Sequence, residues 1–468
     1  MTERDLLVRG GTIVRPTGSA REDVRIRSGR IVETGPNLAS EGEPQLDAAG
    51  LHVLPGVIDA HSHQWEQGLA ARPDFRDDTA SAAAGGITTI LDHPLTPPEI
   101  LDADRLRTKA ELGERTSFID FALHAGASPD HLDDMAGLWA AGAIAFKVFT
   151  CETGVPMGGF VTTAARRAVL ERVAALDAIA LVHAEEQAIL DRERGRLERE
   201  GRTEAAVFGE WRSLEAEAVA VDEMLALAAE TGGRVYFVHT SLPEAVDAVA
   251  RARRAGTSAW VETCPHYLVL TDDDIRERGH WATTSPPVRD GARRELLRGQ
   301  LSSGISAVGS DHGSVLPENK TGRDAFHGQP GLPGNETMVP ILLDLVAQGV
   351  VTIERVVALV AENPARLFGL FGRKGAIQTD FDGDLTLVDL AGETVPKAAE
   401  MMGVAGWTPY EGLRLRGRVA ATVVRGGVVA RDGRPLVEPG VGAWVPRQHA
   451  PVAYGLPIGS DSQGDIPG

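Results

Sequence analysis

Eight apolar, β-rich runs punctuate the middle of the chain, and this alternation narrows the possible folds more than any other feature. The runs lie at residues 53–63, 87–92, 118–125, 143–149, 179–184, 234–240, 259–267 and 305–311. Stretches with helical spacing of apolar positions separate them, as at 103–112, 166–176 and 244–255. Strands that are apolar throughout belong to a sheet covered on both faces. Eight of them, each followed by a helix, predict an α/β fold closed into a parallel (β/α)8 TIM barrel. An open doubly wound sheet is the alternative, but no Gly-x-Gly-x-x-Gly turn follows an early strand.

The two ends of the chain share a different grammar. Residues 6–14 and 24–26 alternate, and Gly29-Arg30 makes a turn before Ile31-Val32. Near the other end, 384–389 reads as one strand and 418–429 as a pair joined by a tight turn. Neither set makes a useful sheet alone, so together they predict one small β-sandwich fed by both ends. The expected division is residues 1–52 (first part of the sandwich), 53–372 (barrel), 373–447 (second part) and 448–468, a tail rich in Gly, Pro, Ser and Asp. A barrel of about 250 residues or more plus such a domain fills 468 residues. The charged stretch 188–204 is expected to be a solvated outer helix.

Composition excludes several classes of partner. Lys and Arg total 47 against 66 Asp and Glu, a formal charge of −19. Phosphate recognition needs clustered cations, so neither nucleic acid nor an anionic membrane is expected as a partner. No apolar run reaches the ~18 residues needed to cross a bilayer. Cys151 and Cys264 cannot form a disulfide framework and suit a reducing compartment. Met1-Thr2-Glu3-Arg4-Asp5 lacks the basic and apolar regions of a signal peptide, so a cytoplasmic location is expected.

The chemistry resides where His and Asp fall. Asp59-Ala60-His61-Ser62-His63 closes the first run. Residues i and i+2 of a strand share a face, so His61 and His63 can grip one ion, although the motif also suits a pair on an exposed loop. His183 ends the fifth run, His239 the sixth and Asp311 the eighth. Each falls at the carboxyl end of its strand, where barrel active sites form. Lys147 lies within the apolar run Ala145-Phe146-Lys147-Val148-Phe149. A lysine there pairs with a carboxylate, escapes to the barrel mouth, or reacts as a neutral amine with CO₂ to give a carbamate that bridges two metals.

With these residues in view, the chain resembles the cyclic amidohydrolases of the amidohydrolase superfamily: allantoinase, hydantoinase or dihydropyrimidinase, and dihydroorotase. The similarity spans about residues 5–435. It rests on Leu54-Pro55-Gly56-Val57-Ile58-Asp59-Ala60-His61-Ser62-His63, Ala84-Gly85-Gly86-Ile87-Thr88-Thr89, Glu262-Thr263-Cys264-Pro265-His266-Tyr267-Leu268, Ser285-Pro286-Pro287-Val288-Arg289 and Gly309-Ser310-Asp311-His312. Later matches are Asn363-Pro364-Ala365-Arg366-Leu367-Phe368-Gly369 and Gly383-Asp384-Leu385. The resemblance implies two divalent ions, usually zinc. His61, His63 and Asp311 would hold one and His183 and His239 the other, with Lys147 as a bridging N6-carboxylysine. It also implies that hydroxide attacks the carbonyl while Asp311 shuttles the proton to the leaving nitrogen. His266 matches a histidine near that site, with a purely structural hydrogen-bonding role as the alternative. A homodimer or homotetramer is implied by analogy.

Substrate choice lies in loops. Dihydroorotases carry an arginine for the substrate carboxylate where this chain has Trp65, which disfavours that substrate. Hydantoinases carry a tyrosine donor where this chain has Glu152, an acceptor only. Allantoinase is the nearest match, through Asp92-His93-Pro94-Leu95 and Cys151-Glu152-Thr153-Gly154-Val155-Pro156, although His93 stands where methionine is usual and Trp65 where asparagine is usual. Ser285 and Asn335 are expected to meet a small cyclic amide or ureide through backbone groups, or else to serve turns. Two other readings exist. A non-catalytic dihydropyrimidinase-related scaffold would have shed ligands that are all retained here, and a one-metal deaminase would not need Lys147.

Overall fold

The computed structural model describes residues 4–64, 75–95, 98–153 and 161–447; Trp65 and the predicted tail at 448–468 fall outside them. Eight parallel strands form the barrel: Val57–Ser62, Ile87–Asp92, Asp120–Leu123 continuing as Ala125–Gly126, Phe146–Phe149, Ala180–His183, Val235–Phe237, Ala259–Thr263 and Ala307–Val308. The third strand changes partner midway. Phe121 lies opposite Ile90 of the second strand, and Gly126 opposite Lys147 of the fourth. Backbone bonds between the eighth strand's end and the first close the ring: Asp311 N–H donates to the His61 carbonyl at 2.9 Å, and His63 N–H to that of His312 at 3.0 Å.

Helices cover the outside, and their ends follow from local chemistry. The helix Leu214–Thr231 starts at Ser213, whose hydroxyl accepts from the Ala216 N–H, and stops at Gly232 with φ 73°. Pro243–Arg254 opens on proline, carries Glu244 in its first turn and gathers Arg251, Arg253 and Arg254 in its last, so charge is favourable at both poles of the dipole. The charged stretch forms Gln187–Arg199, burying Ile189, Leu190 and Leu197 while its arginines pair with glutamates along the surface.

Period-2 alternation sorts the strand residues. Leu91, Ala122, Ala145, Leu181, Tyr236 and Trp260 pack into one buried cluster with Phe368, inside the barrel. Their neighbours Ile90, Phe121, Phe146, Val182, Val235 and Val261 pack into another with the helices. Two residues beyond an inward apolar residue, the next inward position is polar in five strands: His93, His124, Lys147, His183 and Glu262. The barrel is therefore apolar below and polar in the layer towards its carboxyl ends.

The sandwich draws on both ends of the chain. A seven-stranded sheet runs Arg434–Pro435, Gly427–Arg431, Leu415–Val424, Leu385–Thr394, His52–Pro55, Thr12–Arg15, Gly18–Arg21. A four-stranded sheet runs Arg30–Gly35, Asp23–Arg27, Leu6–Arg9, Gln45–Asp47. The alternating run 6–14 is thus two strands in different sheets. The run 53–63 is likewise divided, between the sandwich and the barrel. Gly56 marks that division, because a β-carbon there would lie 2.3 Å from Thr88 Oγ1 and 2.6 Å from Asp384 Cβ. Among the described residues no helix is long and apolar enough to cross a membrane.

Candidate metal centre

The carboxyl ends of the strands gather the six candidate ligands. His61 Nε2 and His63 Nε2 each lie 3.2 Å from the same oxygen, Asp311 Oδ1. A register irregularity between Asp59 and Ser62 shifts the first strand's alternation and brings His61 and His63 to this face. His183 Nδ1 and His239 Nε2 lie 3.0 Å apart. The two groups adjoin, with the His61 and His239 rings 5.1 Å apart. Simple alternation would point His239 outward, but its φ of 39° turns it in, and Asp311 has φ 48°. Left-handed backbone at non-glycine residues costs on the order of 1–3 kcal/mol and tends to occur at functional positions.

Electrostatics favour ligand forms. Burial pushes the imidazoles of His61 and His239 well below their ordinary pKa and lowers that of His183, so all three carry free lone pairs. Burial opposes the charge on Asp311 as well, but the hydrogen bond from His63 holds its pKa below the ordinary value. Lys147 is buried, and burial pushes its amine down to about 8 against the partial pull of Asp311 and Glu262. Its Nζ lies 4.9 Å from the centre of the Phe149 ring, and no carboxylate forms a salt bridge with it among the described residues. The buried His61 Nε2 and His239 Nδ1 lack hydrogen-bond partners. The imidazole and carboxylate atoms that converge here suit divalent cations, and that donor set suits zinc.

A second layer holds these ligands. His61 Nδ1 meets Glu262 at 2.8 Å, and His183 Nε2 meets Glu185 Oε2 at 2.7 Å, with Arg212 paired to that same oxygen. Sequence reasoning did not single out Glu185, Glu262 or His124, and treated His93 only as a loop difference. The His93 ring stacks on His61 at 3.7 Å, and His124 meets His93 edge-on at 4.7 Å. Their shared inward phase was the available signal.

The cavity above, about 80 Å³, is lined by His63, Lys147, His183, His239 and Asp311, with Leu95, Phe149, Val315 and Ser285 among its other walls. Ser285 Oγ is buried without a partner. Buried His266 stands with Cys264 behind Asp311, and burial lowers its pKa to about 4. Glu152 lines a neighbouring cavity that shares Thr153, Gln329 and Pro330 with this one; its N–H donates to Gln187 and its carbonyl accepts from Arg212. Asn335 lies outside both linings. Its side chain donates to the Asp78 carbonyl at 2.9 Å, and its N–H approaches His312.

Comparisons with known proteins agree with this architecture. Residues 52–429 match the pattern of the Amidohydrolase family. An allantoinase of Rubrobacter xylanophilus is 36% identical over 442 residues, which is 94% of this chain and 97% of that protein. An L-hydantoinase of Paenarthrobacter aurescens is 32% identical, covering 95% of this chain and 98% of that one. The solved L-hydantoinase from Arthrobacter aurescens superposes with a TM-score of 0.92 at 31% identity, over 95% of this chain and all of that one. With the barrel, the histidine and aspartate cluster and full-length relatives in agreement, the chain belongs to the amidohydrolase family.

Proposed function

We propose that this protein hydrolyses a C–N bond of a small cyclic amide or ureide, with allantoin or a hydantoin as the substrate class. The observation that carries the reading is the convergence of His61, His63 and Asp311 beside His183 and His239, all but His61 lining one cavity. In this reading the first three hold one divalent cation and the other two a second, both zinc, with Lys147 as the bridging N6-carboxylysine. Bound there, two such ions acidify water and polarise a carbonyl.

The chain's own residues do the rest. Burial favours the neutral Lys147 amine, the form that adds to CO₂ with loss of a proton. Asp311 opens on the cavity as a carboxylate and is placed to take a proton and release it to the departing ring nitrogen. Leu95, Phe149 and Val315 limit water around the ring, and Ser285 offers a hydrogen bond. His266 stands behind Asp311 and limits where its carboxylate can turn. Glu152 meets a substituent rather than the ring, and Asn335 shapes the wall through Asp78 and His312. Among the described lining residues there is no arginine to pair with a ring carboxylate, which agrees with Trp65 in disfavouring dihydroorotate. The hydantoin alternative draws support from the similarity to the solved L-hydantoinase. We further propose a cytoplasmic homodimer or homotetramer, in keeping with two free cysteines.

The test is a ring-opening screen of allantoin, hydantoins, dihydrouracil and dihydroorotate. Turnover of allantoin or a hydantoin with little on dihydroorotate is expected. Dihydroorotate turnover that matches the best substrate contradicts the assignment.

A further inference from the structure

We infer that Glu262 is a positioning residue that ties the two halves of the metal centre together, an inference that rests on the two-cation reading above. Glu262 lies in the seventh strand, fully buried, two residues beyond the inward-facing Trp260. Three groups converge on its two oxygens. Oε1 meets His61 Nδ1 at 2.8 Å and accepts the backbone N–H of His239 at 3.1 Å. Oε2 accepts the Tyr236 hydroxyl at 2.8 Å. Space for this arrangement depends on Gly309, where a β-carbon would lie 2.7 Å from His61 Cβ and 3.0 Å from Glu262 Oε2.

The consequences differ on the two sides. Oε1 accepts from the His239 N–H and Oε2 from the Tyr236 hydroxyl, so Oε1 faces Nδ1 as an acceptor, which places the proton on that nitrogen and leaves the Nε2 lone pair directed at Asp311 and the first cation position. The bond to the His239 N–H holds the backbone of a residue whose left-handed φ of 39° aims its ring at the second. The Tyr236 hydroxyl fixes the rotation of the Glu262 carboxyl from the strand that leads into His239. Glu185 offers a contrast: it touches only His183 among the candidate ligands. One acid therefore serves both cation positions, and the other serves one.

The test is zinc titration of the ion-free protein in competition with a chromophoric chelator, together with the visible spectrum of the cobalt-loaded form. Glu262→Leu is expected to weaken both binding steps by about 10–100-fold and to alter the bands of both cobalt ions. Glu185→Leu should weaken one step only. Glu262→Gln should restore both steps to within about tenfold of wild type, since its carbonyl can still accept from His61 and His239 while the tyrosine hydroxyl turns to accept from its amide. If the leucine variant does not fold, Tyr236→Phe takes its place and should weaken both steps several-fold. Loss confined to one step, or none, in Glu262→Leu or its replacement overturns the inference. A wild-type protein that takes up no zinc refutes the two-cation reading instead.

Discussion

Lys147 and Lys374 are both buried lysines, one near each end of the barrel, and their surroundings are opposite. Lys374 contacts Asp120, Asp384 and Asp382, the last at 3.0 Å, while Arg373 pairs with Asp382 and Arg425 with Asp120. Burial works against its charge, yet the three aspartates raise its pKa above the ordinary value. Lys147 suffers the same burial without such partners, and its pKa falls to about 8. At the base, where Asp120 opens the third strand and Asp384 adjoins the sandwich strand Leu385–Thr394, three acids meet three bases and the charges are satisfied. At the mouth the polar layer is left uncompensated, with lone pairs and an amine whose charge burial disfavours facing one cavity. On the proposed reading, the same residue type serves as a structural ion at one end and as a reactive group at the other, in line with the division of labour between the two faces of such barrels.

Substitutions can break this contrast. Lys147→Ala should lower kcat/KM for ring opening by about 10³-fold or more and reduce bound metal, without loss of thermal stability in the ion-free protein. His61→Ala and Asp311→Asn should be equally damaging, and retained turnover in any of the three would refute the assigned roles. Lys374→Met should leave metal content unchanged and destabilise the fold by about 3–5 kcal/mol, because buried acids lose their counter-charge. A denaturant midpoint equal to wild type would show that the base cluster does not need its lysine.

The amine itself can be followed by pH. Its folded-state pKa of about 8 lies below the ordinary 10.5, so between these values the unfolded chain binds a proton that the folded chain does not. Stability of ion-free wild type should therefore rise with pH across this window relative to Lys147→Met, by roughly 3 kcal/mol in all. Parallel pH profiles would mean that Lys147 is charged in the fold. The smallest effect sharpens the boundary of the site: Glu152→Gln, in the neighbouring cavity, should change KM less than about threefold. A larger change would bring that cavity into contact with the ring.

Much of the fold and of the candidate site was legible because both obey short-range rules. Apolar runs disclose barrel strands, and His61, His183 and His239 stand at their ends whatever the rest of the chain does. Lys147 was conspicuous as the one charge in its run. The second layer was less legible, since its meaning lies in pairings between remote strands: Glu262 meets His61 across 201 positions, and no local pattern names that partner. His93 and His124 share the inward phase of Lys147, but periodicity says only that they face the barrel axis, and not that one stacks on a candidate ligand. The sandwich showed the same limit. Alternation marked residues 6–14 as β, but the assignment of Leu6–Arg9 and Thr12–Arg15 to separate sheets depends on which later strands arrive beside them.

The central claim is that the barrel mouth holds two divalent cations. Anomalous diffraction at the zinc edge, from crystals of protein loaded with zinc in the presence of bicarbonate, tests it most directly. One peak is expected among His61, His63 and Asp311, a second between His183 and His239, and density extending Lys147 towards both. Peaks confined to Asp120, Asp382 and Asp384 or to Cys264 and His266, or no peak at the mouth, would contradict it.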